Sequence, residues 1–231
     1  MPTRQSALQE WLTQVYEGVP FTLTPLAGDA SFRRYFRLHA GDHSRVVMDA
    51  PPEKETIAPF LIRGETLRAE GIHTPIVYAS DVTQGFALLE DLGDELFLNV
   101  VSSNNADELY TSAITTLLRI QQCPTDNPIL PEFNTTHMWQ ELSLFREWFL
   151  LAHLSVQLSK HEERLLQNTF QWITTEIMQQ PQVFIHRDYH SRNLILTNSP
   201  TALGVIDFQD AMNKDLRLLH DFRCDPLKRV L

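Results

Sequence analysis

The chain has 231 residues, of which 43% are apolar and 21% are charged, and its formal net charge is −10. This composition is typical of a folded protein with a substantial apolar core and argues against a disordered chain. The acidic charge argues against a protein that binds nucleic-acid backbones, because such proteins cluster lysine and arginine. We therefore expect a small-molecule partner.

The sequence gives no sign of a membrane span, a disulfide or a zinc site. Its longest mainly apolar stretch, residues 148–154, is far shorter than the roughly 20 residues that cross a bilayer, and no signal-peptide core follows Met1. Cys123 and Cys224 lie far apart and form no CxxC pair. These observations predict a cytoplasmic protein without structural disulfide or zinc.

The first 95 residues predict a lobe built on an antiparallel sheet. Apolar residues at helical spacing indicate helices at 5–17 and, after Pro51 and Pro52, at 57–70. Short runs of β-branched and aromatic or apolar residues predict strands at 21–26, 32–38, 45–49, 76–79 and 86–89. Small residues between the first two strands predict a hairpin loop at Gly28–Ser31.

Residues 96–231 predict a mainly helical second lobe, joined to the first by a hinge at 90–95. Apolar spacing indicates helices at 105–121, 138–152 and 162–179. Three apolar runs are too short for helices and predict small strands at 183–185, 194–197 and 203–206. The loops beside these strands are where we expect the chemistry.

Residues 186–193 match the pattern HRDxxxxN, which fixes His186, Arg187, Asp188 and Asn193. In this pattern the aspartate meets the acceptor hydroxyl, while the asparagine oxygen ligates Mg²⁺ bound to the phosphates. A second metal ligand is expected after the next strand, where Asp207 and Phe208 stand. Singly, each residue has an ordinary structural explanation, but their joint occurrence in this order favours phosphoryl transfer.

On these motifs the chain resembles the aminoglycoside phosphotransferase family, which has a protein-kinase-like fold. Within that family it is most similar to the bacterial N-acetylmuramate/N-acetylglucosamine anomeric kinases. The resemblance covers residues 1–211 and rests on five segments: LAGDASFRRYFRL at 26–38, MDAPPE at 48–53, LLEDLG at 88–93, HRDYHSRN at 186–193 and IDFQDA at 206–211.

The resemblance implies a two-lobed α+β fold that binds Mg²⁺ and ATP and phosphorylates the anomeric hydroxyl of N-acetylmuramate or N-acetylglucosamine. It implies that Asp188 is the catalytic base and that Asn193 and Asp207 hold the magnesium. It also implies that a loop of Gly28, Asp29, Ala30, Ser31 and Phe32 covers the phosphates. Backbone groups of Glu90 to Leu92 would contact adenine.

One feature departs from the kinase pattern, which places a phosphate-pairing lysine on the strand after the loop. Here that strand runs from Val46 to Asp49 without a lysine. Arg33, Arg34 and Arg37 are candidates to replace it. Alternation along the strand equally allows these arginines to form a solvated face.

A helical stripe of Phe145, Trp148 and Phe149 has the spacing of a core face, although it would also suit a sugar site. We expect the stripe to be core. Glu141 and Glu147 are expected to be solvated.

The resemblance ends after Ala211, where members of the family continue with a Gly-Pro turn and further helices. The sequence here continues as MNKDLRLLH over residues 212–220 and stops at Leu231. We therefore expect a helical lobe that is incomplete at its carboxyl end, with exposed apolar surface, poor solubility and a low reaction rate. Two alternatives remain open: another acceptor, such as an aminoglycoside, choline or homoserine, or a nucleotide-binding module without catalysis.

Overall fold

The structure is a computed structural model that describes residues 3–26, 32–125, 130–197 and 203–215. The chain forms two compact units that interleave along the sequence. Unit 1 comprises Met1–Thr116 and Ser191–Gln209, and unit 2 comprises Leu117–His190 and Asp210–Leu231. The lobe boundary predicted near residue 95 stays a prediction.

Unit 1 contains a five-stranded antiparallel sheet in the order β1-β2-β3-β5-β4. Its strands are β1 Thr22–Pro25, β2 Arg34–Ala40, β3 His43–Asp49, β4 Val77–Asp81 and β5 Phe86–Glu90. Its helices are α1 Arg4–Val15, α2 Ala58–Ala69 and α3 Phe97–Val100, and α4 Ala106–Ile120 begins in it. The predicted strands and the helices at 5–17 and 57–70 are thus present, with ends that differ by a few residues.

Helix α1 covers one face of this sheet. Its buried residues Leu8, Trp11 and Leu12 lie three and four positions apart, so they share one side of the helix. They pack against alternate residues of three strands, namely Leu38, Ala40, Val47, Phe86 and Leu88. The rings of Trp11 and Phe86 lie 5.6 Å apart between centroids. The helix therefore fixes which residues of β2 and β3 face the opposite side.

A short hairpin completes unit 1. Strands β7 Leu194–Leu196 and β8 Leu203–Val205 pair in antiparallel register, with Leu194 opposite Val205. All three residues of β8 are buried. The N–H of Val205 in this strand donates to the carbonyl of His73 at 2.8 Å. This bond attaches the hairpin to the segment between α2 and β4.

Unit 2 is mainly helical, as predicted. It contains α5 Thr135–Leu144, a π-helix at Phe145–His153 and α6 Lys160–Met178, together with strands β6 Gln182–Ile185 and β9 Met212–Asp215. Its core cluster is formed by Phe133, Met138, Ile185 and Met212. The single helix predicted at 138–152 is therefore wrong, because the segment changes from α- to π-helix at Phe145. Strands β6 and β9 pair antiparallel, and the sequence did not predict β9.

Within the described residues, no helix is both long and apolar enough to cross a membrane. Cys123 is buried and its thiol donates to the carbonyl of Arg119 at 3.7 Å, whereas Cys224 lies outside the described residues.

Candidate functional site

The β7–β8 hairpin brings Asn193 and Asp207 together. Asn193 precedes β7 and Asp207 follows β8 by one residue, so antiparallel pairing places both at the same end of the hairpin. The N–H of Ile206 donates to the carbonyl of Asn193 at 3.1 Å and continues the ladder. Asn193 Nδ2 then donates to Asp207 Oδ2 at 3.1 Å. The two residues that the sequence pattern paired are therefore in contact.

The backbone of Asp207 is held in an unusual conformation. Its φ is +66°, in the left-handed region that non-glycine residues rarely adopt. Gln209 Nε2 donates to Asp207 Oδ1 at 2.6 Å, so each carboxylate oxygen accepts one hydrogen bond. Such strain is concentrated at sites where a side chain must be aimed. Gln209 is a neighbour that sequence reasoning did not assign.

Phe208 anchors this site to helix α2. Its ring stacks on Phe60, with centroids 4.9 Å apart. A Cβ atom added at Gly64 would lie 3.1 Å from the same ring, so the glycine provides the room that the ring occupies. Phe208 itself is completely buried. The segment that carries Asp207 is thus fixed by packing on its carboxyl side.

The donor set of Asn193 and Asp207 fits Mg²⁺. Amide and carboxylate oxygens are hard ligands, and a protein holds Mg²⁺ through one or two of them while phosphates and waters complete the octahedron. Because the Asn193 Nδ2 group donates to Asp207, the amide orientation is defined by a hydrogen bond. A carboxylate also has about four lone-pair positions, two of which accept the bonds to Asp207 described above.

The first part of the HRDxxxxN segment belongs to unit 2 and follows β6. His186 is fully buried, and its ring meets that of Tyr189 edge to face at 5.8 Å. Arg187 has a φ of +77° and forms an ion pair with Glu141 of α5. Asp188, between these anchored residues, is partly exposed. The loop around Asp188 is therefore held by a buried aromatic pair and by an ion pair.

Glu141 thus has a partner in the HRDxxxxN segment, Arg187, which the sequence did not indicate. Glu147 is exposed, as expected. The expectation that Phe145, Trp148 and Phe149 form core is wrong, since their exposed fractions are 45%, 68% and 46%. Helical spacing shows that side chains share a face, but it does not show what covers that face.

The predicted phosphate loop lies largely outside the described residues. This applies to Gly28, Asp29, Ala30 and Ser31. Phe32 is described and exposed, with Lys54 Nζ 5.3 Å from the centroid of its ring. Arg33 is buried and forms an ion pair with Glu55. The carboxyl end of the loop is therefore fixed by the segment that precedes α2.

The strand position without a lysine is occupied by a structural acid. Asp49 is completely buried and lies directly opposite Arg34 in the β2–β3 ladder. It accepts hydrogen bonds from Arg34 Nε at 3.1 Å and from Arg4 Nε of α1 at 2.7 Å. Asp49 therefore joins α1 to the sheet, on the same face as Val47 of the core. The opposite face of β3 presents Val46 and Met48, which are apolar.

The predicted hinge begins with Glu90. Its N–H donates to the carbonyl of Ile76 at 2.8 Å, and its carboxylate lies 3.2 Å from His73 Nε2. Leu92 lies against β8, because a Cβ atom added at Gly204 would come within 2.8 Å of Leu92 Cδ1. Residues 90–92 are therefore attached to the same hairpin that presents Asn193.

Acidic residues of the hinge are bound by strand β2. Arg37 donates to Asp91 from Nε at 2.8 Å and from Nη2 at 3.1 Å, and to Asp94 at 2.8 and 2.7 Å. Burial favours a higher pKa for Asp91. The bonds from Arg37, Ser44 and the Gly93 N–H outweigh that effect, so the pKa of Asp91 lies below its ordinary value. The same contacts raise the pKa of Arg37.

A family model described as the phosphotransferase enzyme family matches residues 22–218. The match includes β9, so it continues beyond Ala211, where the sequence motifs ended the resemblance. It also includes Asp188, Asn193, Asp207 and the segment 90–95.

Two curated relatives carry the same name. The N-acetylmuramate/N-acetylglucosamine kinase of Pseudomonas aeruginosa is 41% identical over 194 residues, covering 84% of this chain and 56% of that protein. The kinase of this name from Neisseria meningitidis is 38% identical over 214 residues, covering 90% of this chain and 63% of that protein. The chain thus spans little more than half the length of the first relative.

A solved structure shows the fold. A thermostable mutant of an aminoglycoside phosphotransferase, in ternary complex with ADP and hygromycin B, matches with a TM-score of 0.61 and 14% identity. The match covers 90% of this chain and 73% of that one. This similarity confirms the predicted α+β, protein-kinase-like fold.

Proposed function

Because the chain belongs to the phosphotransferase enzyme family, we propose that it transfers the γ-phosphate of ATP to a hydroxyl of a small molecule. The acceptor that we propose is the anomeric hydroxyl of N-acetylmuramate or N-acetylglucosamine, since curated relatives at 38–41% identity are kinases of these sugars. The single observation that carries the proposal is the contact between Asn193 and Asp207 at the end of the hairpin. The HRDxxxxN pattern predicts the first of these ligands, Asn193, and the Asp-Phe pair after the next strand predicts the second, Asp207.

We assign the role of base to Asp188. The anomeric oxygen forms a bond to the γ-phosphorus while the bond from that phosphorus to the β,γ-bridging oxygen breaks. The bond's electron pair stays on the ADP oxygen, and the hydroxyl proton passes to the Asp188 carboxylate. Fixing the loop through His186 and through the Arg187–Glu141 pair would keep the carboxylate oriented before the acceptor arrives.

Asn193 and Asp207 are the residues that would hold Mg²⁺, which when bound offsets charge on the phosphates. The loop of Gly28, Asp29, Ala30, Ser31 and Phe32 would cover those phosphates, with Arg33 at its end. Backbone groups of Glu90 and Leu92 would contact adenine. Since ATP is the phosphate donor, we place the reaction in the cytoplasm.

The test is a phosphoryl-transfer assay with Mg·ATP and a panel of acceptors. We expect transfer to N-acetylmuramate and N-acetylglucosamine, with a sugar 1-phosphate identified by its phosphorus NMR coupling to the anomeric proton. The methyl glycoside of N-acetylglucosamine is the matched control, because it retains every other hydroxyl and lacks only the free anomeric one. It should not be phosphorylated.

Other results would favour the alternatives. Transfer to an aminoglycoside, choline or homoserine in place of the sugars would keep the kinase assignment and change the acceptor. Binding of Mg·ATP with no transfer to any member of the panel would favour a nucleotide-binding module. Phosphorylation of the methyl glycoside would show that another hydroxyl is the acceptor.

A further inference from the structure

We propose that Arg33 is the cation that meets the ATP phosphates in place of the missing lysine, and that Glu55 is the positioning residue that holds its guanidinium. This inference rests on the proposed ATP-dependent function. Of the three candidate arginines it selects Arg33, the residue that directly follows the predicted phosphate loop, and it assigns a role to an acidic residue that no motif indicated.

Arg34 is excluded by its place in the sheet. Its guanidinium binds Asp49, which is completely buried and also accepts a bond from Arg4 of α1. These contacts lie on the face of the sheet that α1 covers. Arg34 therefore contributes to packing and is directed away from the opposite face, where a nucleotide would have to lie.

Arg37 is excluded by its partners. Four hydrogen bonds engage it with two carboxylates of the hinge, those of Asp91 and Asp94. Two carboxylates around one cation leave a net negative charge, which disfavours a phosphate, whereas Arg33 has an ion pair with one carboxylate, that of Glu55. The contacts make Arg37 a structural support of the hinge.

Arg33 has a different environment. It is only 6% exposed, and it forms an ion pair with Glu55. Arg33 Nε donates to Glu55 Oε2 at 3.1 Å, and Nη2 donates to Oε1, so the pair is bidentate. Burial lowers the pKa of Arg33, but the bonds to Glu55 and Tyr35 outweigh that effect and the pKa lies above its ordinary value.

Tyr35 connects Arg33 to the candidate metal site. The hydroxyl of Tyr35 shares a hydrogen bond with the Arg33 guanidinium, and it lies within electrostatic range of the Asp207 carboxylate. Burial raises the pKa of Tyr35, Arg33 opposes the rise, and the charge of Asp207 adds to it. Along β2, Tyr35 alternates with Phe36, which packs toward α1, so Tyr35 and the Arg33 guanidinium bonded to it lie on the opposite face of the sheet, directly after the proposed phosphate loop.

The Arg33–Glu55 pair also takes the place of the lysine–glutamate pair of protein kinases. In protein kinases the phosphate-pairing lysine of a strand is held by a glutamate of the following helix. Helix α2 contains one acid, Glu65, whose side chain is 76% exposed and bound to Arg68 of the same helix. In this chain the proposed cation is Arg33, the residue before β2, and its carboxylate partner is Glu55, in the segment before α2.

This arrangement suits phosphate binding. A guanidinium has five N–H donors, and Arg33 donates to Glu55 from Nε and from Nη2. A buried guanidinium without a carboxylate would be costly, so Glu55 makes the buried position of Arg33 possible. Because the side chain is fixed before the nucleotide binds, its ordering entropy does not reduce affinity.

The test compares the binding of Mg·ATP, Mg·ADP and AMP by isothermal titration calorimetry. Arg33→Gln should weaken Mg·ATP by about 10- to 100-fold, the worth of a charge-assisted bond, while AMP changes by less than about twofold. Arg33→Lys should recover part of the ATP affinity, because it restores the charge. Glu55→Gln should give a smaller loss with the same selectivity for ATP over AMP, which a purely structural role would not produce.

Arg34→Gln and Arg37→Gln are the matched controls. Arg34→Gln should leave the ratio of ATP to AMP affinity unchanged, and Arg37→Gln should affect both nucleotides alike through the hinge. Thermal unfolding of each variant separates loss of fold from loss of binding. If Arg33→Gln does not fold, the ratio of ATP to AMP affinity is measured on Arg33→Lys instead. Equal losses for ATP and AMP in the Arg33 variants would overturn the proposal alone. Failure of the parent chain to bind Mg·ATP would overturn the proposed function with it.

Discussion

The phenyl ring of Phe208 stacks on that of Phe60, with centroids 4.9 Å apart and planes inclined by 23°. Phe208 follows Asp207 directly, and Phe60 lies in the first turn of α2. The stack therefore fixes the Asp207 carboxylate, which is proposed to bind magnesium, relative to α2.

Replacing Phe60 by alanine should affect both stability and the magnesium response. Loss of a buried phenyl ring costs roughly 3–5 kcal/mol of unfolding free energy, and the freed Phe208 would no longer fix Asp207. Urea unfolding measures the first effect, and the magnesium dependence of ATP affinity measures the second. Phe60→Leu fills much of the space and should lose less of both. An alanine variant that keeps its full magnesium response would show that Phe208 needs no stacking partner.

Gly85 should tolerate no side chain. Its φ is +72°, and an added Cβ would lie 1.9 Å from the carbonyl oxygen of Ala50. The N–H of Ala50 donates to the Gly85 carbonyl at 2.9 Å, so the two residues are held together. Gly41 is the matched control, since its φ is +57° but nothing lies within 4 Å of an added Cβ. We expect Gly41→Ala to cost about 1 kcal/mol of unfolding free energy and Gly85→Ala several times more. Equal costs in chemical denaturation would mean that Ala50 moves freely.

The sequence predicted those candidate site residues that belong to local sequence patterns. Asn193 and Asp207 were identified by spacing, and the apolar runs beside them predicted the two strands that pair as the hairpin in the structure. Glu55, Tyr35 and Gln209 were missed. Their contacts depend on how separate segments pack, and no repeat or spacing in the sequence marks such contacts.

Two misassigned elements have similar physical causes. The π-helix at Phe145–His153 has the apolar periodicity of an α-helix over so short a segment, so its change of geometry could not be read from spacing. Strand β9 has the sequence MNKD, which lacks the alternating apolar pattern of a strand. It is a strand because β6 supplies the hydrogen-bonding partner.

The hinge should weaken in acid. The pKa of Asp91 is lowered in the folded state by its bonds to Arg37 and Ser44, so its stabilising contribution is present above its unfolded pKa of about 3.9 and is lost as the pH falls through the folded value. Asp91→Asn should be less stable than the parent chain at pH 7, and the difference should narrow below about pH 4. Urea unfolding at pH 7, 5, 4 and 3 measures it. A constant difference would show that the Asp91 charge makes no contribution.

Magnesium should be required for tight ATP binding, because Asn193 and Asp207 act through the metal. At a ligand concentration of about 100 times Kd, Mg·ATP stabilises the fold by ~2.7 kcal/mol, or roughly 5–10 °C of melting temperature. Asp207→Ala should lose the part of this shift that depends on magnesium. Asp42→Ala, at the exposed β2–β3 turn, should retain it. A shift in the parent chain that is the same with and without magnesium would contradict the metal assignment.

Asp188→Asn should remove turnover and leave nucleotide binding nearly intact. The amide keeps the size of the side chain but cannot accept the hydroxyl proton, and loss of general-base catalysis lowers the rate by about 10²- to 10⁴-fold. No phosphate or metal contact is assigned to Asp188, so the affinity for Mg·ATP should stay within about threefold, or less than ~0.7 kcal/mol. Steady-state kinetics with N-acetylglucosamine and titration calorimetry with Mg·ATP measure the two effects separately. Glu147→Gln, an exposed carboxylate of the same unit, is the control and should behave as the parent chain does. If the Asp188→Asn variant kept half of the parental rate, another group would have to accept the proton, and the role given to Asp188 would be wrong.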